Sequence, residues 1–243
     1  MSSTFNLKII SIEGNIGSGK STLLENLKKY YENNPYVRFL KEPVDDWEKI
    51  KDKQGNTMLH KFYGDQEKYS FPFQMMAYIS RLAILRNEVE NIYKHAYNNN
   101  NNNNNNDNND KSYVIITERS LYTDREVFAK MLFDQGKIED VCYQIYLHWF
   151  DEFIKDYKNV NSVYVITEPQ KCYERIHKRA RVGEEFIPLS YLEDCHQYHN
   201  RFLEKQTNKL ELDGNVDIYE NKKIVEQWLG QIDCFINKNL IEV

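Results

Sequence analysis

Short apolar and β-branched runs recur along the chain at Leu7–Ile12, Val37–Leu40, Tyr113–Thr117, Ser162–Thr167 and Lys209–Leu212. Long segments with helical spacing lie between them, so the order reads β-α-β-α. That order predicts an α/β fold with a five-stranded parallel sheet and helices on both faces. Right-handed crossovers bring every strand's carboxyl end to one edge, where such sheets bind ligands. The residues just beyond the strands therefore carry the interest: Gly14, Glu42, Glu118 and Arg119, Glu168 and Asp213.

The first of these junctions is the most specific. Residues 9–22 read I-I-S-I-E-G-N-I-G-S-G-K-S-T, a G-x-x-x-x-G-K-S loop directly behind a strand and directly before the helical run T-L-L-E-N-L-K-K-Y. Glycines 14, 17 and 19 let the backbone turn and aim its N–H groups at a phosphate chain. Lys20 is placed to reach the β- and γ-phosphates, Ser21 to offer its hydroxyl to Mg²⁺, and the helix beginning near Lys20 to point its positive end at the anion. Gly14, Asn15, Gly17, Ser18, Gly19, Lys20, Ser21 and Thr22 are thus expected to bind a nucleoside triphosphate.

Composition narrows the partners. The 243 residues suit a single α/β domain, and a net charge of −5 argues against a nucleic-acid coat or an anionic membrane surface. Cys142, Cys172, Cys195 and Cys234 are far apart without C-x-x-C spacing, so they read as ordinary thiols of a reducing compartment. No apolar stretch approaches bilayer length, and M-S-S-T-F-N before the first strand is too short for a signal or transit peptide; a cytoplasmic location is expected. Nine asparagines, Asn98–Asn106, open a polar insertion at about 98–110. Such a run cannot bury apolar area to offset its ordering entropy, which predicts a disordered surface loop away from the phosphate-binding edge.

Other strand ends and helices supply candidate chemistry. Glu42, in E-P-V after the second strand, could accept a proton from a hydroxyl that attacks the γ-phosphate; spacing alone equally suits a solvated glutamate. Glu118-Arg119-Ser120 closes the third strand, where an acid could support Mg²⁺ and an arginine could fork onto phosphoryl oxygens, or the two could form a plain surface ion pair. In F-P-F-Q-M-M-A-Y-I-S-R, Gln74 and Arg81 share a helix face with apolar neighbours. An amide that donates and accepts suits a nucleobase edge, though a helix with polar residues at its margin would look the same. Arg175, Arg179 and Arg181 cluster after the fourth strand, either as a solvated helix face or as a lid that closes on ATP.

Five motifs appear in one order: G-N-I-G-S-G-K-S-T, E-P-V-x-x-W, F-x-F-Q-x-x-A-x-x-S-R, E-R-S-x-Y-x-D-R-x-x-F-A and R-x-R-x-x-E-x-x-I-P. Together, over roughly residues 7–213, the chain resembles the deoxyribonucleoside kinase family that includes deoxycytidine, deoxyguanosine and mitochondrial thymidine kinases. The resemblance implies a P-loop kinase fold with an arginine-rich lid, ATP and Mg²⁺ as cofactors, and transfer of a phosphoryl group to the 5′-hydroxyl of a deoxyribonucleoside. It implies Glu42 as the base, Arg119 as the group that holds the hydroxyl and stabilises developing charge, and Glu118 as the acid supporting magnesium. Tyr63 and Glu184 would grip the 3′-hydroxyl, Glu185 being one residue away. Gln74, Arg81 and Asp124 would read the base between walls of Trp47, Phe73 and Phe128. Arg175, Arg179 and Arg181 would lie on the lid, and the 213–218 segment, with Asp213 and Asn215, would cradle adenine. A homodimer seam would use the helices at about 68–96 and 138–157.

An ionised Asp124 would accept from an exocyclic amine and repel the O4 of thymine, leaving adenine, guanine and cytosine. Ala77 leaves room for two rings, so a purine deoxyribonucleoside is expected, deoxyadenosine slightly ahead. The nearest rival is a nucleoside monophosphate kinase of the thymidylate kinase type. It would need cations for an acceptor phosphate where Glu42 stands. No N-K-x-D or D-x-x-G pattern in a suitable place supports a GTP switch.

Overall fold

The computed structural model describes residues 6–102, 112–157, 160–181, 183–184, 186–218 and 221–241. At its centre β1 (Asn6–Glu13), β2 (Val37–Leu40), β3 (Ser112–Glu118), β4 (Val160–Ile166) and β5 (Lys209–Asp213) form one sheet in the order β2-β3-β1-β4-β5. Every pairing is parallel. Ile12 of β1 lies opposite Glu118, and Ile166 of β4 opposite Asp213, so the carboxyl ends are nearly level.

Alternate residues of a strand point to opposite faces, and here both faces are apolar. Ile10, Ile12, Val114, Ile116, Val163 and Val165 pack under α1 (Lys20–Tyr30) and α10 (Lys222–Ile241), meeting Leu23, Leu24, Leu27, Trp228, Ile232 and Ile236. Ile9, Tyr113 and Ile115 face the other layer, α4 (Gln66–Asn102) and α7 (Asp140–Phe153), through Tyr78, Leu82, Leu85, Tyr146 and Phe150. Each fully buried Leu, Ile or Phe contributes about 1.5–3 kcal/mol relative to exposure. Double-sided burial is why the strands read as unbroken apolar runs. The expected fold class, strand number and strand direction are as the sequence indicated.

The long helices differ in extent from the sequence reading. α4 starts two residues earlier than expected and runs on through Asn102, into the asparagine tract. The loop expected at about 98–110 is therefore helical over 98–102, and residues 103–111 lie outside the described residues. α7 stops at Phe153 and a 3₁₀ turn, Ile154–Asp156, follows it.

A third apolar cluster sits over the carboxyl edge of the sheet. It draws on α2 (Val44–Trp47), α3 (Met58–Gly64), α4, a π-helical turn at Asp124–Ala129, α6 (Lys130–Asp134), α8 (Pro169–Arg179) and α9 (Leu189–Leu203), while α5 (Leu121–Thr123), just before the π turn, packs through Leu121 in the Ile9 layer. Trp47, Leu59, Phe62, Phe73, Ala77, Ile176, Tyr191 and Leu192 are among its buried members. The π turn went unrecognised in the sequence because its residues also suit an α-helix. Such turns concentrate at functional sites, and this one presents both Asp124 and Phe128 to a cleft.

Candidate active site

A cleft of about 500 Å³ opens along the carboxyl edge, from the 214–218 turn past the glycine-rich loop to α4. It gathers Gly17, Ser18, Gly19, Lys20, Ser21, Thr22, Glu42, Trp47, Tyr63, Phe73, Gln74, Arg81, Glu118, Arg119, Asp124, Phe128, Arg175, Arg179, Arg181 and Glu184, residues drawn from distant parts of the sequence. Four expected ATP contacts, Gly14, Asn15, Asp213 and Asn215, are not among its lining residues. Asn15 braces the loop instead: its Oδ1 accepts from Ile16 N (2.8 Å) and its Nδ2 donates to the Leu192 carbonyl (2.8 Å). Asp213 Oδ1 accepts from both the backbone and side-chain nitrogens of Asn215, whose Oδ1 accepts from Glu168 N. These residues shape the turn, and Gly214, Val216, Asp217 and Ile218 face the cleft.

The glycine-rich loop is tightly packed at Gly14 and Gly17. Gly17 adopts φ +79°, and a β-carbon there would stand 2.6 Å from the Cys172 carbonyl oxygen and 3.0 Å from Ile176 Cγ1. Backbone of α8 cannot yield as a flexible side chain would. Gly17→Ala should therefore deform the loop and weaken ATP binding at least about tenfold, measured by calorimetry, while nucleoside binding survives; unchanged ATP affinity would contradict this packing. Lys20 is nearly buried and donates from Nζ to the Asn15 carbonyl (2.6 Å). Burial, and then the charge of Arg119, lowers its pKa to about 7. Ser21 Oγ donates to Glu118 Oε1 at 2.5 Å, while Glu118 Oε2 is buried with no partner.

Past the loop lies a charged network in a nearly dry setting. Arg81 donates from Nε to Asp124 Oδ2 (2.9 Å), from Nη1 to the Glu118 carbonyl (2.6 Å) and from Nη2 to Glu42 Oε1 (2.9 Å). Its side chain is 5% exposed and that of Asp124 3%. Burial disfavours charge on Arg81, but Asp124 and Glu42 outweigh it and raise its pKa. Burial pushes Asp124 up, and Arg81 draws it partly back. Arg119 Nε approaches Glu42 Oε1 at 3.5 Å. Burial alone would raise the Glu42 pKa; Arg81 and then Arg119 overcome it and hold the carboxyl at about 2. Arg81 and Asp124, both expected at the base, thus form an ion pair, and Arg81 also grips Glu42, a contact that residue spacing does not reveal.

Arg119 stands in the left-handed region, φ +64°, a conformation that costs a non-glycine residue on the order of 1–2 kcal/mol. The strain is held by neighbours. Arg119 N donates to the Ile12 carbonyl (3.0 Å), Nη1 to the Gly14 carbonyl (2.7 Å), and the guanidinium lies 4.8 Å over the Phe128 ring. Fully buried Glu13, overlooked in the sequence, pins the turn that follows: its carboxylate accepts from Ser120 N (2.9 Å) and Thr123 Oγ1 (2.5 Å). Nη1 of Arg119 also lies 3.2 Å from Nε2 of His199, a completely buried histidine of α9 that the sequence reading passed over. Its only signal was a histidine on the apolar stripe Tyr191, Cys195, His199, Leu203.

The remaining walls are aromatic. Phe62 stacks on Phe73 at 4.5 Å, Trp47 meets Phe73 edge-on at 5.7 Å, and buried Gln74 carries an Oε1 without a partner. Tyr63 meets Tyr191 edge-on at 6.0 Å. Burial, then Cys195 and Glu184, raises the Tyr63 hydroxyl pKa well above its ordinary value. Of the three arginines, Arg175 donates to the Gly214 (2.9 Å) and Val216 (3.4 Å) carbonyls, tying α8 to the 214–218 turn. Arg179 and Arg181 both pair with Glu184, at 2.5 and 3.2 Å. Glu185 lies outside the described residues.

A phosphate loop on a parallel sheet, with a carboxylate held between two arginines in the same cleft, defines a P-loop phosphotransferase acting on a small molecule. Residues 10–237 match the deoxynucleoside kinase family. The chain is 31% identical to deoxycytidine kinase 2 of Gallus gallus over 95% of this chain and 91% of that one. It is 31% identical to deoxycytidine kinase of Homo sapiens (85% and 79% covered) and 28% identical to mitochondrial deoxyguanosine kinase of Xenopus laevis (87% and 79%). This chain belongs to the deoxynucleoside kinase family. It is a phosphotransferase that phosphorylates deoxynucleosides with ATP as phosphate donor. Among the described residues no helix is long and apolar enough to cross a membrane.

Proposed function

We propose that the enzyme transfers the γ-phosphoryl group of ATP to the 5′-hydroxyl of deoxyribonucleosides whose base carries an exocyclic amine, purines first. The observation that carries this reading is the continuous network Asp124–Arg81–Glu42–Arg119, which joins a base-reading end to a phosphate-facing end within one cleft. Glu42 accepts the hydroxyl proton, and Arg119 stabilises charge that develops on the transferred group. Gln74, Arg81 and Asp124 read the base between Trp47, Phe73 and Phe128, with Ala77 leaving space for a second ring. Tyr63 and Glu184 hold the 3′-hydroxyl once Arg179 and Arg181 turn to the phosphates.

Ser21 and Glu118 would hold magnesium. The unpartnered, buried Glu118 Oε2 beside the Ser21 hydroxyl fits a hard cation. Among the described residues no group of three or more His, Cys, Asp or Glu could hold a metal, so most of its ligands would be phosphate and water oxygens. The ion would neutralise phosphate charge.

We also read the whole chain as one kinase domain of the cytoplasm, working as a homodimer. Four free thiols favour a reducing compartment. Val141, Ile145, Trp149 and Phe153 recur every fourth residue on α7 and are exposed, Trp149 at 43%, and Ile79 of α4 is exposed as well. A stripe of this kind marks a protein interface. Trp149→Glu should give a monomer in sedimentation; a wild-type chain that is itself monomeric at micromolar concentration would overturn the seam.

The test of function is ATP consumption with deoxyadenosine, deoxyguanosine, deoxycytidine, thymidine, their monophosphates, or no acceptor. Turnover with the first two above deoxycytidine, and with neither thymidine nor monophosphates, is expected. Selective use of a monophosphate would instead favour the thymidylate kinase type, which the carboxylate at Glu42 opposes.

A further inference from the structure

We infer that His199 is the positioning residue for Arg119, fixing which guanidinium hydrogens face the reaction. The inference rests on the role proposed for Arg119. His199 Nδ1 lies 2.7 Å from the Cys195 carbonyl one turn back on α9. A carbonyl can only accept, so Nδ1 carries the proton. In a neutral ring Nε2 is then a bare acceptor, and it faces Arg119 Nη1 at 3.2 Å. Burial, followed by the Arg119 charge, lowers the His199 pKa well below its ordinary value, which keeps the ring in that neutral form. The ring cannot swing away. It lies parallel to Tyr164 (6.4 Å, 8°) and meets Phe128 edge-on at 5.8 Å, while Phe128 packs against the Arg119 guanidinium.

The donor count completes the picture. A guanidinium has five N–H groups. Both on Nη1 are taken, one by the Gly14 carbonyl and one by His199. Nε–H and the two hydrogens of Nη2 remain, with Nε toward Glu42 at 3.5 Å. Without His199 one Nη1 hydrogen would be buried and unpaired, and the strained left-handed backbone at Arg119 would lose a side-chain anchor. Arg119 could then rotate toward Glu42 or Phe128 and away from the γ-phosphoryl position.

The test uses the full-length enzyme with ATP and its best deoxyribonucleoside. Wild-type turnover in that assay tests the kinase reading by itself. Given turnover, His199→Leu should lower kcat about 10–100-fold with KM for ATP within about threefold. His199→Gln, whose Oε1 can stand where Nε2 stood, should recover to within about threefold of wild type. In an Arg119→Ala background His199→Leu should change kcat less than about twofold, because the residue acts through Arg119. On the wild-type protein, ¹⁵N-detected imidazole NMR should show His199 as the Nδ1–H tautomer, without titration between pH 6 and 8. This readout needs no variant to fold. An Nε2–H tautomer, a His199→Leu enzyme with more than half of wild-type kcat, or additive losses with Arg119→Ala would each overturn the inference.

Discussion

Glu42→Gln should leave deoxyribonucleoside binding within a few-fold of wild type and lower kcat by about 10²–10⁴, the usual contribution of a positioned general base. The substituted amide would keep an oxygen for Arg81 and Arg119 to hold, so the network should stay assembled while the proton acceptor is gone. Glu42, held by both arginines at a pKa of about 2, is ionised throughout the neutral range. Its protonation therefore should not limit the rate between pH 6 and 8. A carboxylate so strongly stabilised is a weak base, and engagement of Arg81 by the nucleobase would loosen one of its two clamps. Steady-state kinetics alongside nucleoside titration decide the matter: a Glu42→Gln enzyme with more than about a tenth of normal kcat would remove Glu42 from the role.

Much of this site could be read from residue order because its positions follow strand ends. Parallel strands end on one edge, so Gly14, Glu42, Glu118 and Asp213 converge whatever the intervening lengths. The Gln74 to Arg81 spacing fixed a helix face. What escaped depends on contacts that spacing does not encode. The π turn at Asp124–Ala129 differs from an α-helix by one residue per turn, and its residues have no separate signature. Glu13 looked like the last residue of a strand, and only its depth and its bonds to Ser120 and Thr123 give it a task. Asn15, Asp213 and Asn215 sat in the right motifs, but their side chains are taken up in bracing turns. The basic residues at the end of α8 illustrate a mixed outcome. His177, Lys178 and Arg179 complement the helix dipole there, while Arg175 reaches back to bind carbonyls of the 214–218 turn.

Substitutions at Arg81 and Asp124, the proposed base-reading pair, should be as consequential. Removing Asp124 alone should harm every substrate, and the structure gives a reason beyond an uncompensated charge. Arg81 is shared between Asp124 and Glu42, so in Asp124→Ala it should close fully onto Glu42 and sequester the carboxylate proposed as the base. Removing Arg81 alone leaves Asp124 buried without its partner, where burial already pushes its pKa up, and a neutral acid would fill the pocket. Arg81→Met with Asp124→Ala removes both charges together and leaves Glu42 to Arg119. An apolar wall then stands beside Gln74, whose amide can still pair with a pyrimidine edge while the cleared space takes a thymine methyl. The double variant should gain thymidine phosphorylation and lose purine deoxyribonucleosides, a shift in discrimination of at least about 3 kcal/mol, or roughly 100-fold, as expected when buried polar partners are left unmatched. The effects should be strongly non-additive, with each single variant slower than the pair on thymidine. Values of kcat/KM for the four deoxyribonucleosides would measure this, and a double variant that kept the wild-type order would show that the base is read elsewhere.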